Sequence, residues 1–210
     1  MLSTHTLLLL ALAGLSFGVN AANAAVFSFA CVTGNSAADC NTAPQYSVDI
    51  NSSGPSQVSF QFRNTASAAS SILSLYFDQS TTLFNSVAQP SYSSGVLYAQ
   101  DTPRPRNFPG PVAFDTDHSW HKDGAAGNGI NAANEYATIR LGLVNNRTFG
   151  DVLNAMNTGQ LRVGLHVGAF AGGGSEAFLS QVPEPSTYAA VLALAMVALF
   201  VVARRRTKAV

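Results

Sequence analysis

Residues 161–167 read LRVGLHV, and the alternation of Leu161, Val163, Leu165 and Val167 with Arg162, Gly164 and His166 decides the fold class. Apolar side chains at every second position lie on one face of an extended strand, because successive side chains of a pleated chain point to opposite sides. The same period recurs at Val58, Phe60 and Phe62 in QVSFQFR and at Ile139, Leu141 and Leu143 in TIRLGLV. Five more stretches, 26–32, 45–50, 71–77, 95–100 and 176–181, read as strands between loops rich in Gly, Pro, Asn and Ser. That pattern predicts an all-β domain, an antiparallel β-sandwich. One short helix interrupts it: Thr148 and Asp151 make a capping box, Val152, Leu153 and Met156 share a face, and Gly159 ends the last turn.

Outside this domain, expected over 25–181, both ends of the 210-residue chain turn apolar. From Leu7 to Leu15 the chain is almost continuously hydrophobic, then passes through Gly18 and Asn20 into the small-residue run 21–25. This is the layout of a signal peptide over 1–24, with an h-region too short to span a bilayer and a cut after Ala24. Its n-region departs from the usual pattern in having His5 but no Lys or Arg. At the other end, Tyr188–Ala203 reads YAAVLALAMVALFVVA, with Arg204, Arg205, Arg206 and Lys208 directly behind it. A transmembrane helix over about 187–203 with a basic tail at 204–210 is expected, and the positive-inside rule keeps that tail in the cytoplasm. The preceding domain then lies outside, the orientation the signal peptide also demands.

Just before the second apolar run stands Val182-Pro183-Glu184-Pro185-Ser186. A Pro-Glu-Pro motif (182–186), an apolar helix and an Arg-rich terminus, in this order over 182–210, resemble the PEP-CTERM sorting signal of Gram-negative bacteria. The resemblance implies recognition by exosortase, a membrane-embedded transpeptidase-like enzyme, removal of the tail near the motif, and delivery to the cell surface or the extracellular matrix. Tails of this kind also carry an ice-binding C-terminal label, which names the sorting tail; the flat Thr-x-Thr ladder of that activity is absent from this sequence. Pro183 and Pro185 hold φ and disfavour helix before them, so the motif stays extended next to the membrane.

Within 25–182 there are seven Lys or Arg and ten Asp or Glu, a difference of three negative charges, so no basic surface points to nucleic acid. The two cysteines, Cys31 and Cys40, are an even pair in an oxidising compartment, and a disulfide is the leading reading beside two free buried thiols. Asp115, Asp117 and Asp123 crowd one stretch and form a candidate calcium set. An EF-hand register from Asp115 fails, because Trp120 stands where the turn requires Gly and Ala126 where a bidentate Glu belongs. His118, His121 and His166 are a candidate three-His metal set, but a spacing of three aligns the first pair only in a helix, and Asp-Thr-Asp-His-Ser-Trp is poor helix material. Gly173-Gly174-Ser175-Glu176-Ala177 has the look of a nucleophile elbow, yet a strand rather than a helix is expected after it. Trp120, Tyr92, Tyr98 and Phe108 are candidate flat faces for sugar rings.

No catalytic residues emerge, and the expected role is non-enzymatic: a structural or adhesive protein of the surface or biofilm matrix, with exopolysaccharide as the expected ligand class. Signal peptidase and exosortase are the expected processing partners. The alternative is a secreted hydrolase acting on matrix polysaccharide, which needs paired carboxylates such as Asp115 or Asp123 with Glu135 or Glu176.

Overall fold

The computed structural model describes residues 24–144 and 146–182. The expected signal peptide (1–24, apart from Ala24), the transmembrane helix at about 187–203 and the basic tail lie outside the described residues. Among the described residues no helix is long and apolar enough to cross a membrane.

The chain forms strands β1 (Ala24–Cys31), β2 (Tyr46–Ser52), β3 (Gln57–Asn64), β4 (Ser71–Gln79), β5 (Phe84–Tyr92), β6 (Tyr98–Gln100), β7 (His118–Lys122), β8 (Tyr136–Leu143), β9 (Leu161–Gly168) and β10 (Ser175–Ser180). Helix α1 (Ala37–Cys40) follows β1, and α2 (Phe149–Thr158) lies between β8 and β9. The strands pair antiparallel in the order β5-β8-β3-β2-β1-β10-β9-β4-β7-β6. The all-β expectation is met, with one correction: the sheet is continuous and curled, where two separate layers were expected. Strand β1 makes the connection, pairing with β2 through Ala24–Ser28 and with β10 through Phe29–Cys31. An eight-residue strand is long enough to serve both halves.

The curl is visible in the core. Phe60 on β3 and Phe77 on β4 are separated by four strands in the sheet order, yet their rings meet edge to face with centroids 5.0 Å apart. Phe62 and Trp120 also pack edge-on against Phe77, at 6.0 and 5.5 Å. The inward positions of the alternating segments, Val58, Phe60, Phe62, Ile139, Leu141, Leu161, Val163, Leu165 and Val167, are all buried in this one core. Period two therefore reports the inner face of the curl, as it would for a sandwich.

Helix α2 begins and ends where its capping residues predict. The Thr148 side chain accepts from the Asp151 N–H, the Asp151 carboxylate accepts from the Thr148 N–H, and Gly159 closes the helix at φ 71°. Val152, Ala155 and Met156 are its buried face, whereas Leu153 is only half-buried. A second helix, α1, was not expected; its four residues are capped by Ser36, too short a segment to show a helical period. Strands β5 and β7 also escaped the sequence pattern. β5 is an edge strand with two register shifts and Pro90, features an edge tolerates and a central strand does not. β7, HSWHK, presents Trp120 to the core, and its outward Ser119 is buried as well, so no alternation of polarity marks it.

Because Phe77 joins rings from both halves, Phe77→Ala should lower the unfolding free energy by about 3–5 kcal/mol in urea titrations, the cost of deleting a fully packed ring. Val26→Ser, at an outward position of β1 that is 69% exposed, should change it by no more than about 0.5 kcal/mol.

Candidate functional site

The most organised polar cluster forms where β10 begins. Gly173 and Gly174 adopt φ of 79° and 82°, conformations open to glycine, and turn the chain so that Glu176 points inward at the rim of the core. Cys31 and Cys40 are joined in a disulfide, as the cysteine pair predicts, which closes a loop over this residue. The Glu176 carboxylate is 1% exposed and is held entirely by that loop. Oε1 accepts the Ser36 N–H at 2.6 Å, and Oε2 accepts the Asn35 N–H at 3.1 Å and the Thr33 hydroxyl. Thr33 Oγ1 in turn accepts the Ala177 N–H at 2.9 Å, so strand and loop clasp each other. Sγ of Cys31 lies 3.7 Å from Oε2. A cleft of about 480 Å³ opens beside this cluster, lined by Asp39, Thr42, Phe170, Gly172 and Ser175 among others. A strand follows the glycines, so the residues that look like a nucleophile elbow form a loop clasp.

A second cluster fastens the long loop 101–117 across the outer face of β4, β7 and β9. Asp101 receives Arg106 Nε at 2.8 Å and the Ser119 hydroxyl at 2.7 Å, and His121 Nδ1 stands 2.7 Å from the same carboxylate, an ion pair when the imidazole is protonated rather than a well-aligned hydrogen bond. Burial works against the Asp101 charge. The bonds from Ser119 and Arg106 and the positive charges of His121 and Arg106 outweigh it and hold the carboxyl below its ordinary value. Further along, Phe108 packs against Tyr76 with centroids 5.5 Å apart and lies over Gly164, where a Cβ would stand 2.6 Å from its ring. The sequence marks the cysteine pair and the Gly173–Glu176 stretch separately but not their meeting, and it gives no signal for the Asp101 cluster, because the partners come from different segments of the chain.

The other expected sites are dispersed. Asp115 and Asp117 lie before β7 and Asp123 after it, so Asp117 and Asp123 are separated by about 20 Å of strand. Asp115 donates its N–H to Asp78, which pairs with Arg162, and Asp117 accepts the Gln79 N–H at 2.7 Å. Burial raises the Asp117 carboxyl. Of the three histidines, His118 is on the inward face of β7 beside Trp120 and His121 on the outward face, while His166 sits two strands from His121 with Ser74 between them. Burial lowers both His118 and His166 and favours their neutral forms. Trp120, Tyr98 and Phe108 are buried and Tyr92 is half-buried, its hydroxyl donating to the Tyr98 carbonyl, so these rings belong to the packing. Glu135 accepts the N–H groups of Asn131 and Ala132 within its own loop. Asp78 pairs with Arg162 and Glu176 with Val167, five residues further along β9, which puts Asp115 and Glu176 about 17 Å apart. Glycosidase carboxylates work at about 5–9.5 Å.

Strand β10 ends at Ser180, and the next residue, Gln181, donates its N–H to the Ser28 carbonyl at 3.0 Å. Val182, the first residue of the expected sorting motif, is 44% exposed; Pro183, Glu184, Pro185 and Arg204–Arg206 lie outside the described residues. The family model of the PEP-CTERM protein-sorting motif matches residues 181–206. The chain therefore carries this motif, which implies export and exosortase-dependent sorting. No curated protein and no solved structure matches the chain.

Two measurements check the clusters. Glu176→Ala should cost about 2–4 kcal/mol with the disulfide intact, since three loop donors lose their buried acceptor; non-reducing urea titration reads this directly. For Asp101 the folded carboxyl titrates below its unfolded value, so its contribution is complete above the ordinary carboxylate range and disappears as pH falls through the folded value. The stability gap between wild type and Asp101→Asn should accordingly be constant near neutrality and shrink below about pH 4.

Proposed function

We propose that this protein is an exported component of the cell surface or extracellular matrix, held in the membrane only in transit, whose β domain has a structural or adhesive, carbohydrate-associated role rather than a catalytic one. Signal peptidase acts after Ala24 and exosortase near 182–186. The observation that carries the reading is the junction: the fold is complete at Ser180, and the sorting motif begins at the very next residue. From Gln181 to Tyr188 the chain can reach at most about 24 Å, so a domain anchored by 187–203 is displayed close to the bilayer, with the motif as the whole of its stalk. A domain held mainly by its own curled core can survive release from that anchor unchanged. The hydrolase alternative lacks comparable support, since Asp115 and Glu176 lie toward opposite ends of β9 and the Glu176 carboxylate is already engaged by the Asn35 and Ser36 N–H groups and the Thr33 hydroxyl.

Expression in a host with and without exosortase tests this, following the C-terminal segment by intact mass and the chain by membrane fractionation. Loss of the tail and release from the membrane only when the enzyme is present are expected. A full-length, membrane-bound chain in both hosts overturns the sorting reading and leaves a permanent single-span surface protein.

A further inference from the structure

Glu176 is a buried carboxylate that pairs with no cation among the described residues; its oxygens accept two backbone N–H groups and a hydroxyl, with the sulfurs of Cys31 and Cys40 beside them. Its oxygen and the sulfurs of Cys31 and Cys40 all lie within 4.8 Å of one another. Two thiolates and a carboxylate are a ligand set for zinc-class ions, at about 2.3 Å for sulfur and about 2.0 Å for oxygen. Tetrahedral angles at those lengths put sulfur and oxygen about 3.5 Å apart and the two sulfurs about 3.8 Å apart. Cys31 Sγ already stands 3.7 Å from the carboxylate, and the Cys40 sulfur, within 4.8 Å of both, is free to move to its tetrahedral position once the S–S bond is broken.

We propose that Cys31, Cys40 and Glu176 form a redox-gated metal site: with the disulfide open, the two thiolates and the carboxylate hold one zinc-class divalent cation. An external dithiol opens the site, giving two electrons and two protons to the S–S bond and closing to its own disulfide. The two protein thiols each lose a proton as the metal binds, and a three-ligand set leaves one tetrahedral position for water. A chain newly delivered across the membrane still has both cysteines reduced. At that stage the metal neutralises Glu176 and holds the 31–40 loop in its final place, and oxidation then replaces it with the covalent bond. The proposal is independent of the sorting reading, because it concerns the domain whether or not the tail is removed.

The test uses the full chain in detergent, either oxidised or reduced with a water-soluble phosphine, which is itself converted to the phosphine oxide. Cadmium is the probe, its thiolate charge-transfer band read in the ultraviolet and zinc used as competitor. One cadmium per reduced chain, none per oxidised chain and loss of the band in Cys40→Ser are expected. Glu176→Gln should keep a thiolate band and weaken binding at least about tenfold. If that variant does not fold by circular dichroism, Glu176→Asp, which retracts the carboxylate by one methylene, should show the same weakening. No binding by the reduced chain, equal affinity in the folded Glu176 variant, or equal affinity of the reduced chain unfolded in urea each overturns the site.

Discussion

The whole architecture depends on the change of partner within β1. Residues Ala24–Ser28 continue the ladder from β2, and Phe29–Cys31 start the ladder to β10, so one strand carries hydrogen bonding from one half of the sheet into the other. Once that happens the two halves cannot slide independently, and their inner faces close on one core. Phe77 then meets Phe60 and Phe62 from the far half and Trp120 from its own, each edge to face. Edge-to-face contact places the positive rim of one ring on the negative face of another and adds about 0.5–1.5 kcal/mol per pair to the area buried. The two edge strands of the continuous sheet, β5 and β6, follow one another in the chain, and Tyr92 and Tyr98 pack together across their short connection.

The two polar clusters serve this curl from opposite sides. At the start of β10, Glu176 draws the disulfide loop down onto the strand, so the covalent bond and three hydrogen bonds act on the same short segment. Buried carboxylates are tolerated only where donors replace lost water, and here backbone N–H groups and a hydroxyl supply them. Over the outer face, the 101–117 loop is tied by Asp101 at its beginning and by Asp115 on Asp78 near its end, with Phe108 pressed between. Gly164 lets that ring approach the backbone; a side chain there would occupy its place.

Where the chain leaves the domain is as consequential as the domain itself. β10 is paired to β1 until its last residue, and Gln181, the first residue matched by the sorting-motif model, makes one further backbone bond to Ser28. The beginning and the end of the described chain therefore leave the sheet along neighbouring strands.

How much of this was legible depended on how local each cause was. Thr148, Asp151 and Gly159 specify the bounds of α2 through bonds three residues apart, and the period of Leu161–Val167 specifies a strand and its buried face, so the sequence alone determines both. It also determines the sorting motif, which is read by residue order and needs no fold. The disulfide followed from the even count and the compartment. Sandwich or curl could not be read, because the alternation of Phe27 and Phe29 is the same whichever strand lies beside them. Nor could the merits of the Asp and His groupings: closeness in sequence along β7 separates Asp117 from Asp123 by a strand length and turns His118 and His121 to opposite faces. Glu176 and Asp101 acquired their partners only when segments more than a hundred residues apart, or strands and a proline-rich loop, were brought together. Tertiary structure decided those contacts, because hydrogen-bond partners of a buried group are chosen by position in space and leave no period or spacing in the chain.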